Sequence, residues 1–264
     1  MNRRFAFFLL VIPLLGYGQE RSVLSDLVAT SPQTALLAKS RIDGFIQDLR
    51  SSKPSSDIAL AKRVFHRTQK EFLHQYASYA DFSEIFNSGR YDCLTATSLF
   101  SVVLSELNIE YTIVETNYHI FLLVNTSKGE VLLETTDRFN GFVRNEKEIS
   151  RRIGRYRQGL TAGAGTQNIY RYHCDLYREV NPGQLPGLLY YNQAVKAYNA
   201  GCLDTCGELL LKAKSIYDTP RIKEFVSIFL RSIIESTLDD QTKLRIIRQF
   251  KGATAPGPPA LASL

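Results

Sequence analysis

Beyond its first residues the sequence has no apolar run long enough to cross a bilayer, which argues against a polytopic membrane protein. No stretch of alternating Asp and Asn with glycine is present, so calcium-dependent chemistry has no ligand loop to rest on. Its four cysteines, Cys93, Cys174, Cys202 and Cys206, do not fall at metal-binding spacing. The glycine-rich run at 158–168 contains GAG, but it follows no expected strand and lacks the full G-x-G-x-x-G pattern of a phosphate-binding turn. Charge of one sign is modest as well. The formal net charge of +6 includes Arg3 and Arg4, and without those two it is +4. The densest basic stretch, with Arg151, Arg152, Arg155 and Arg157, reads as a solvated face and not as a nucleic-acid surface. Neither a cofactor nor a metal is expected.

What is present begins with MNRRFAFFLLVIPLLGYGQE, a basic start followed by an apolar run and small residues. The run is shorter than the ~20 residues of a membrane span, so residues 1–18 read as a secretory signal peptide cut near Gly18. The expected product is exported, periplasmic or extracellular, with no stable membrane span after cleavage. A hydrophobic fraction of 44% and a charged fraction of 22% are those of a chain that folds in water. With 264 residues it can hold one catalytic domain and a smaller addition.

The pattern along the chain predicts an α+β protein with helical ends. A helical segment at 19–56, with its helix over 31–50, closes at a break around Pro54. A second helix starts near Asp57 and carries Ile58, Ala61, Phe65, Phe72 and Tyr76 at near-helical spacing. From Cys93 to Leu107 apolar residues occupy nearly every face, which predicts a buried central helix with Cys93 in its first turn. The β-branched and aromatic runs IEYTIVETNYHIFLLV and EVLLETT, separated by NTSKG, then predict an antiparallel hairpin. This main domain spans 57–170. Residues 171–250 form a helical appendage in which Ala194, Tyr198, Gly201, Leu203, Leu210, Ala213 and Pro220 resemble one tetratricopeptide helix pair. Within it Cys202 and Cys206, four apart, should share a helix face as buried, unbridged thiols. The run at 251–264, rich in Pro, Gly and Ala, reads as a disordered tail.

The chemistry centres on Cys93. A helix N-terminus favours a thiolate, and its unpaired N–H groups can stabilise an oxyanion formed in acyl transfer. Asp92 beside it would oppose ionisation unless turned away as the helix cap, which is the role expected for it. His119, opening the run HIFLLV, is the leading base, whereas His66 and His74 lie in the earlier helix and His173 stands beside Cys174 beyond the glycine loop. An acid should orient the imidazole. Glu134 and Asp137 both follow the hairpin turn, and an antiparallel return brings either toward His119.

The run GRYDCLTATSLFSVVLSELNIEYTIVETNYHIFLLV, followed by GEVLLETTD, resembles the transglutaminase-like superfamily, relatives of papain in fold and catalytic order. That resemblance covers about residues 57–140. It implies a papain-like core, a central helix packed on an antiparallel sheet, with Cys93 as nucleophile, His119 as base and Glu134 as acid. ETT at 134–136 stands where the family carries Asp-Thr-Thr, one methylene longer, and Asp137 remains the alternative. The sequence has no tryptophan, so the indole that often completes the family's oxyanion hole is absent, leaving Tyr91 or Tyr118 as substitutes.

The expected activity is cysteine-dependent acyl transfer or hydrolysis at an amide or peptide bond, with peptides or proteins, cell-wall peptides included, as substrates. The alternative is a non-catalytic transglutaminase-like module that binds a peptide or protein. A further alternative makes the C-terminal helices the functional part, a surface for a protein partner.

Overall fold

The computed structural model describes residues 23–52, 54–117, 119–157 and 176–252. The expected signal peptide, the glycine-rich loop, His173, Cys174, Tyr118 and the tail beyond Gly252 lie outside the described residues. Two helices lead, α1 (Val23–Val28) and α2 (Ala35–Ser51). Pro32–Thr34, inside the span expected to be helical, is a tighter 3-10 turn, as suits a proline at a helix start. Helix α3 (Asp57–Glu71) begins at Ser56, whose side chain accepts from the Ala59 N–H.

The helical spacing that extended to Tyr76 does not survive, since α3 stops at Glu71. The Gly89 carbonyl takes the N–H groups of His74 and Gln75, and β1 (Gln75–Tyr76) pairs in parallel with β2 (Arg90–Tyr91). Strand pairing with a distant segment overrides local periodicity here. Gly89 has a φ of +73°, and a Cβ there would lie 2.4 Å from the His74 ring, so both backbone and space call for glycine. Between these strands lies the short α4 (Glu84–Asn87).

Helix α5 (Cys93–Glu106) is the central one, and every residue from Leu94 to Leu104 is buried. Strands β3 (Tyr111–Thr116), β4 (Ile120–Thr126), β5 (Gly129–Leu133), β6 (Phe142–Val143) and β7 (Tyr177–Val180) form one antiparallel sheet in the order β6-β5-β4-β3-β7. Alternation along the strands gives the sheet two apolar faces. Ile113, Ile120, Leu122, Val124, Val131 and Leu133 join the main core that contains α5. Val114, Phe121, Leu123, Leu132 and Val143 form the opposite face with Ile149 and Tyr156 of α6 (Glu146–Arg157). The arginine-rich stretch is therefore only half a solvated face, because its helix turns Ile149 and Tyr156 inward. Arg152 is drawn down onto Glu148 and Asp137.

Four helices follow among the described residues, α7 (Leu185–Asn199), α8 (Leu203–Ile216), α9 (Pro220–Glu235) and α10 (Asp240–Gly252). Gly201, at φ +74°, turns α7 back against α8. Leu188, Leu189 and Tyr191 of α7 and Phe225 and Phe229 of α9 belong to the same buried cluster as Leu99 and Phe100 of α5. These helices share the core of the α+β body. Cys93, Cys202 and Cys206 are free; Cys206 is buried, but Cys202, at the cap of α8, is exposed, contrary to the expectation of two buried thiols. Among the described residues no helix is long and apolar enough to cross a membrane.

Candidate active site

Helix α5 starts where it does because Asp92 caps it. The Asp92 carboxylate accepts from the Thr95 N–H at 2.8 Å, and the Thr95 hydroxyl accepts from the Asp92 N–H at 2.9 Å. Each residue thus satisfies the other's donor. Asp92 is 3% exposed, and burial raises its carboxyl to about 6 against the pull of the helix N–H groups. The cap puts Cys93 at the first helical position, where its backbone N–H has no partner within the helix.

The half-buried Cys93 thiol lies beside the His119 ring, close enough to favour its charged form. His119 immediately precedes β4, and its Nε2 is 2.6 Å from Oε2 of Glu134, the residue after β5. The sheet register explains that meeting. Leu122 pairs with Leu133, so Phe121 stands opposite Glu134, and His119, two residues back, lies on the same face as a diagonal neighbour. An ionised carboxylate only accepts, so the proton of this bond belongs to Nε2, which leaves Nδ1 for the thiol.

Burial disfavours charge on both partners, yet each is held charged by the other. The Glu134 carboxylate and Cys93 outweigh the desolvation of His119 and raise it well above its usual value. For Glu134, burial is outweighed by His119 and by donors from Thr136 and Tyr156, and its carboxyl is lowered. Those donors leave no part of the carboxylate idle. The Tyr156 hydroxyl donates to Oε2 at 2.6 Å, and the Thr136 hydroxyl and N–H donate to Oε1 at 2.6 and 3.2 Å. The Tyr156 ring also lies against the imidazole, with centroids 4.7 Å apart.

Asp137, the other acid the sequence left open, faces elsewhere. Its carboxylate accepts from the Asn140 N–H at 2.9 Å and from Arg152 at 3.4 Å. The chain leaves the strand after Leu133 and loops back, the Glu134 N–H donating to the Gly141 carbonyl at 2.8 Å. Thr135 anchors the loop from behind, since its carbonyl accepts from Gln69 of α3 at 2.7 Å and its hydroxyl meets that of Thr97 in α5 at 3.3 Å.

Two tyrosines stand on the thiol side. Tyr91 is nearly buried, and its ring meets that of the half-exposed Tyr76 edge-on at 6.0 Å. Burial raises the Tyr76 phenol, and the nearby Cys93 and Asp92 raise it further. His66 and His74 remain at α3 and just after it, away from these contacts, with His74 bonded to the Lys70 carbonyl.

The structure therefore brings Cys93, His119 and Glu134 together and turns Asp137 away. Tyr156 and Thr136 are the contributors that the sequence reading did not single out. Ile149, Ile153 and Tyr156 recur at helical spacing, a signal that could have placed Tyr156 on an inward stripe. Among the described residues no cluster of three or more His, Cys, Asp or Glu side chains is disposed to hold a metal ion.

No protein-family model matches the chain, and no curated protein matches its sequence.

Proposed function

We propose that this chain is an exported thiol enzyme of transglutaminase-like type that cleaves or transfers acyl groups at amide bonds. The observation that carries the reading is the grouping of Cys93, His119 and Glu134, with the imidazole bonded to the carboxylate at 2.6 Å and the thiol beside it. Further support comes from element order: a helix-opening cysteine, then a histidine leading a strand, then an acid ending the next, around a buried helix packed on an antiparallel sheet.

In this mechanism the Cys93 sulfur attacks the amide carbon, forming a C–S bond and an oxyanion that the Cys93 N–H stabilises at the open end of α5. The C–N bond then breaks as His119 passes its proton to the departing amine. Water or a second amine attacks the thioester, His119 takes the incoming proton, and the thiol is released. Glu134 holds the imidazole in one orientation and favours its cation throughout. Hydrolysis is the simpler outcome, and peptides, cell-wall peptides among them, are the substrate class.

The test is iodoacetamide labelling of the intact protein near neutral pH, followed peptide by peptide. Cys93 should label at least tenfold faster than the exposed Cys202, and His119→Ala should abolish the difference. Equal labelling of the two thiols in the unsubstituted protein would overturn the proposal.

A further inference from the structure

The C-terminal helices reach the site at two points that the chemistry above does not use. From α7, Asn192 Nδ2 donates to the second carboxylate oxygen of Asp92, 3.3 Å away, at the cap beside Cys93. From the first turn of α9, Arg221 reaches the connection between β3 and β4. One terminal nitrogen of its guanidinium donates to the carbonyls of Thr116 and Asn117 at 2.7 and 2.5 Å. The other pairs with Glu115 at 2.8 Å, and the Tyr217 hydroxyl donates to the same carboxylate at 2.9 Å. The side chains of Arg221 and Glu115 are 13% and 3% exposed, so this pair is set inside the protein.

Thr116 joins this clamp to the imidazole. Its carbonyl is held by Arg221, while its N–H and hydroxyl both donate to the His119 carbonyl, at 2.8 and 3.0 Å. A guanidinium can donate to two carbonyls while its charge faces a carboxylate because its nitrogens are fixed in one plane, whereas an ammonium offers a single point. A desolvated ion pair is a poor source of net stability, but it fixes direction well.

We propose that Arg221 is a positioning residue for His119, acting through Thr116, and that the C-terminal helices are thereby part of the active site. This inference rests on Cys93 being an activated nucleophile. Asn192 supplies a second hold, on the cap of the helix that presents the thiol. The helical segment sets where the imidazole stands relative to the sulfur, and a displacement of α9 carries through the connection to His119.

The test uses the full chain and the iodoacetamide labelling rate of Cys93 across pH, with Cys202 as internal reference. Arg221→Lys is expected to slow Cys93 about tenfold at neutral pH and to move its pH profile toward that of Cys202, whose own rate stays unchanged. Arg221→Ala should do so more strongly. If it does not fold, the pair Glu115→Gln with Arg221→Met leaves no unpaired buried charge and is read in its place. Phe45→Leu, a core change in α2 where the ring packs on Phe72 and not on α9, should lower the melting temperature and leave the Cys93 profile intact. The inference is overturned if folded Arg221 variants keep the original profile, or if Phe45→Leu shifts it equally. Equal labelling of Cys93 and Cys202 in the unsubstituted chain would instead remove the nucleophile itself, and the inference would fall with it.

Discussion

His119 and Glu134 form a buried pair whose Nε2 and Oε2 atoms are 2.6 Å apart, with Asp137 three residues on bonded to Arg152. The two carboxylates should therefore answer differently to loss of charge. Glu134→Gln keeps the side chain's shape but no longer stabilises the imidazolium, so Cys93 labelling should fall toward the rate of Cys202 and any amide turnover should fall by roughly 10²–10⁴-fold, the range for mispositioned bases. Asp137→Asn should change either rate less than threefold or so. Peptide-resolved labelling of the two variants side by side checks this, and equal losses would shift the acid's role away from Glu134.

Asp92 predicts a pH dependence of stability that is opposite in sign to that of most carboxylates. Burial raises its folded value to about 6 from an ordinary 3.8, so the folded state holds the proton more tightly than the unfolded one. Its ionisation then costs stability progressively as pH rises from about 4 to about 6, and the cost is constant above that window. About two units at ~1.4 kcal/mol each place the full penalty on the order of 3 kcal/mol. Asp92→Asn, which can still cap α5, should melt close to the unsubstituted protein near pH 4 and above it at pH 7. Melting curves across this range measure the difference, and a constant gap would contradict it.

Glu134 and His119 carry the more familiar signs. A lowered carboxylate contributes fully above its unfolded value and loses that contribution in acid, whereas a raised imidazole contributes fully below 6.5 and loses it as pH climbs toward its folded value. Stabilisation from the pair is thus greatest between about pH 4.5 and 6.5. Replacing both residues, as His119→Gln with Glu134→Gln, should lower the melting temperature most inside that window and less on either side. Melts at pH 3, 5.5 and 9 would show it, and a loss that grows steadily with pH would not fit.

Much of this site was legible because its parts are local. A capped helix start at Asp92 and Cys93, a strand led by His119 and an acid at the end of the returning strand all follow from short-range patterns. Register fixed the rest of that geometry, since Leu122 opposite Leu133 puts His119 and Glu134 on one face. Spacing alone did not separate Glu134 from Asp137, and only the family resemblance favoured Glu134, because the choice depends on where the chain turns after Leu133 and on Arg152 in a helix still to come. Tyr76 was misplaced for a related reason: its spacing suits a helix, but pairing with the segment after Gly89 takes it into a strand. Asn192 and Arg221 lie about a hundred residues from their partners, and no periodicity announces contacts of that range.

Tyr156 offers a narrower test of how much the carboxylate's surroundings matter. Its hydroxyl shares Oε2 of Glu134 with His119, and its ring packs against the imidazole. Tyr156→Phe keeps the ring and removes one donor to a charged acceptor, a loss of about 1–3 kcal/mol. Stability should fall by that amount, and Cys93 labelling should slow by less than in Glu134→Gln because the remaining charge still faces His119. Tyr156→Ala also removes the packing and should cost more of both. If Tyr156→Phe matched Glu134→Gln in rate, the hydroxyl and not the carboxylate charge would be setting the imidazole.

Gly141 closes the loop that carries Glu134, and the closure leaves no room for a side chain. A Cβ at this position would stand 2.2 Å from the Glu134 carbonyl and 2.3 Å from that of Asp137, with the Phe65 ring at 2.8 Å. Two of these neighbours are backbone and cannot rotate away, so Gly141→Ala must open the loop and disturb the bond between the Glu134 N–H and the Gly141 carbonyl. Destabilisation of about 1–3 kcal/mol is expected from such overpacking. A parallel loss of Cys93 reactivity is expected because the carboxylate moves with the loop. Gly154 in α6 is the control, since a Cβ there meets nothing within 4 Å. Gly154→Ala sits in a helix and should stabilise by roughly 0.5–1 kcal/mol. Labelling at Cys93 should be unchanged in that variant, so thermal melts and labelling rates of the two alanine variants together separate a general loss of fold from displacement of Glu134.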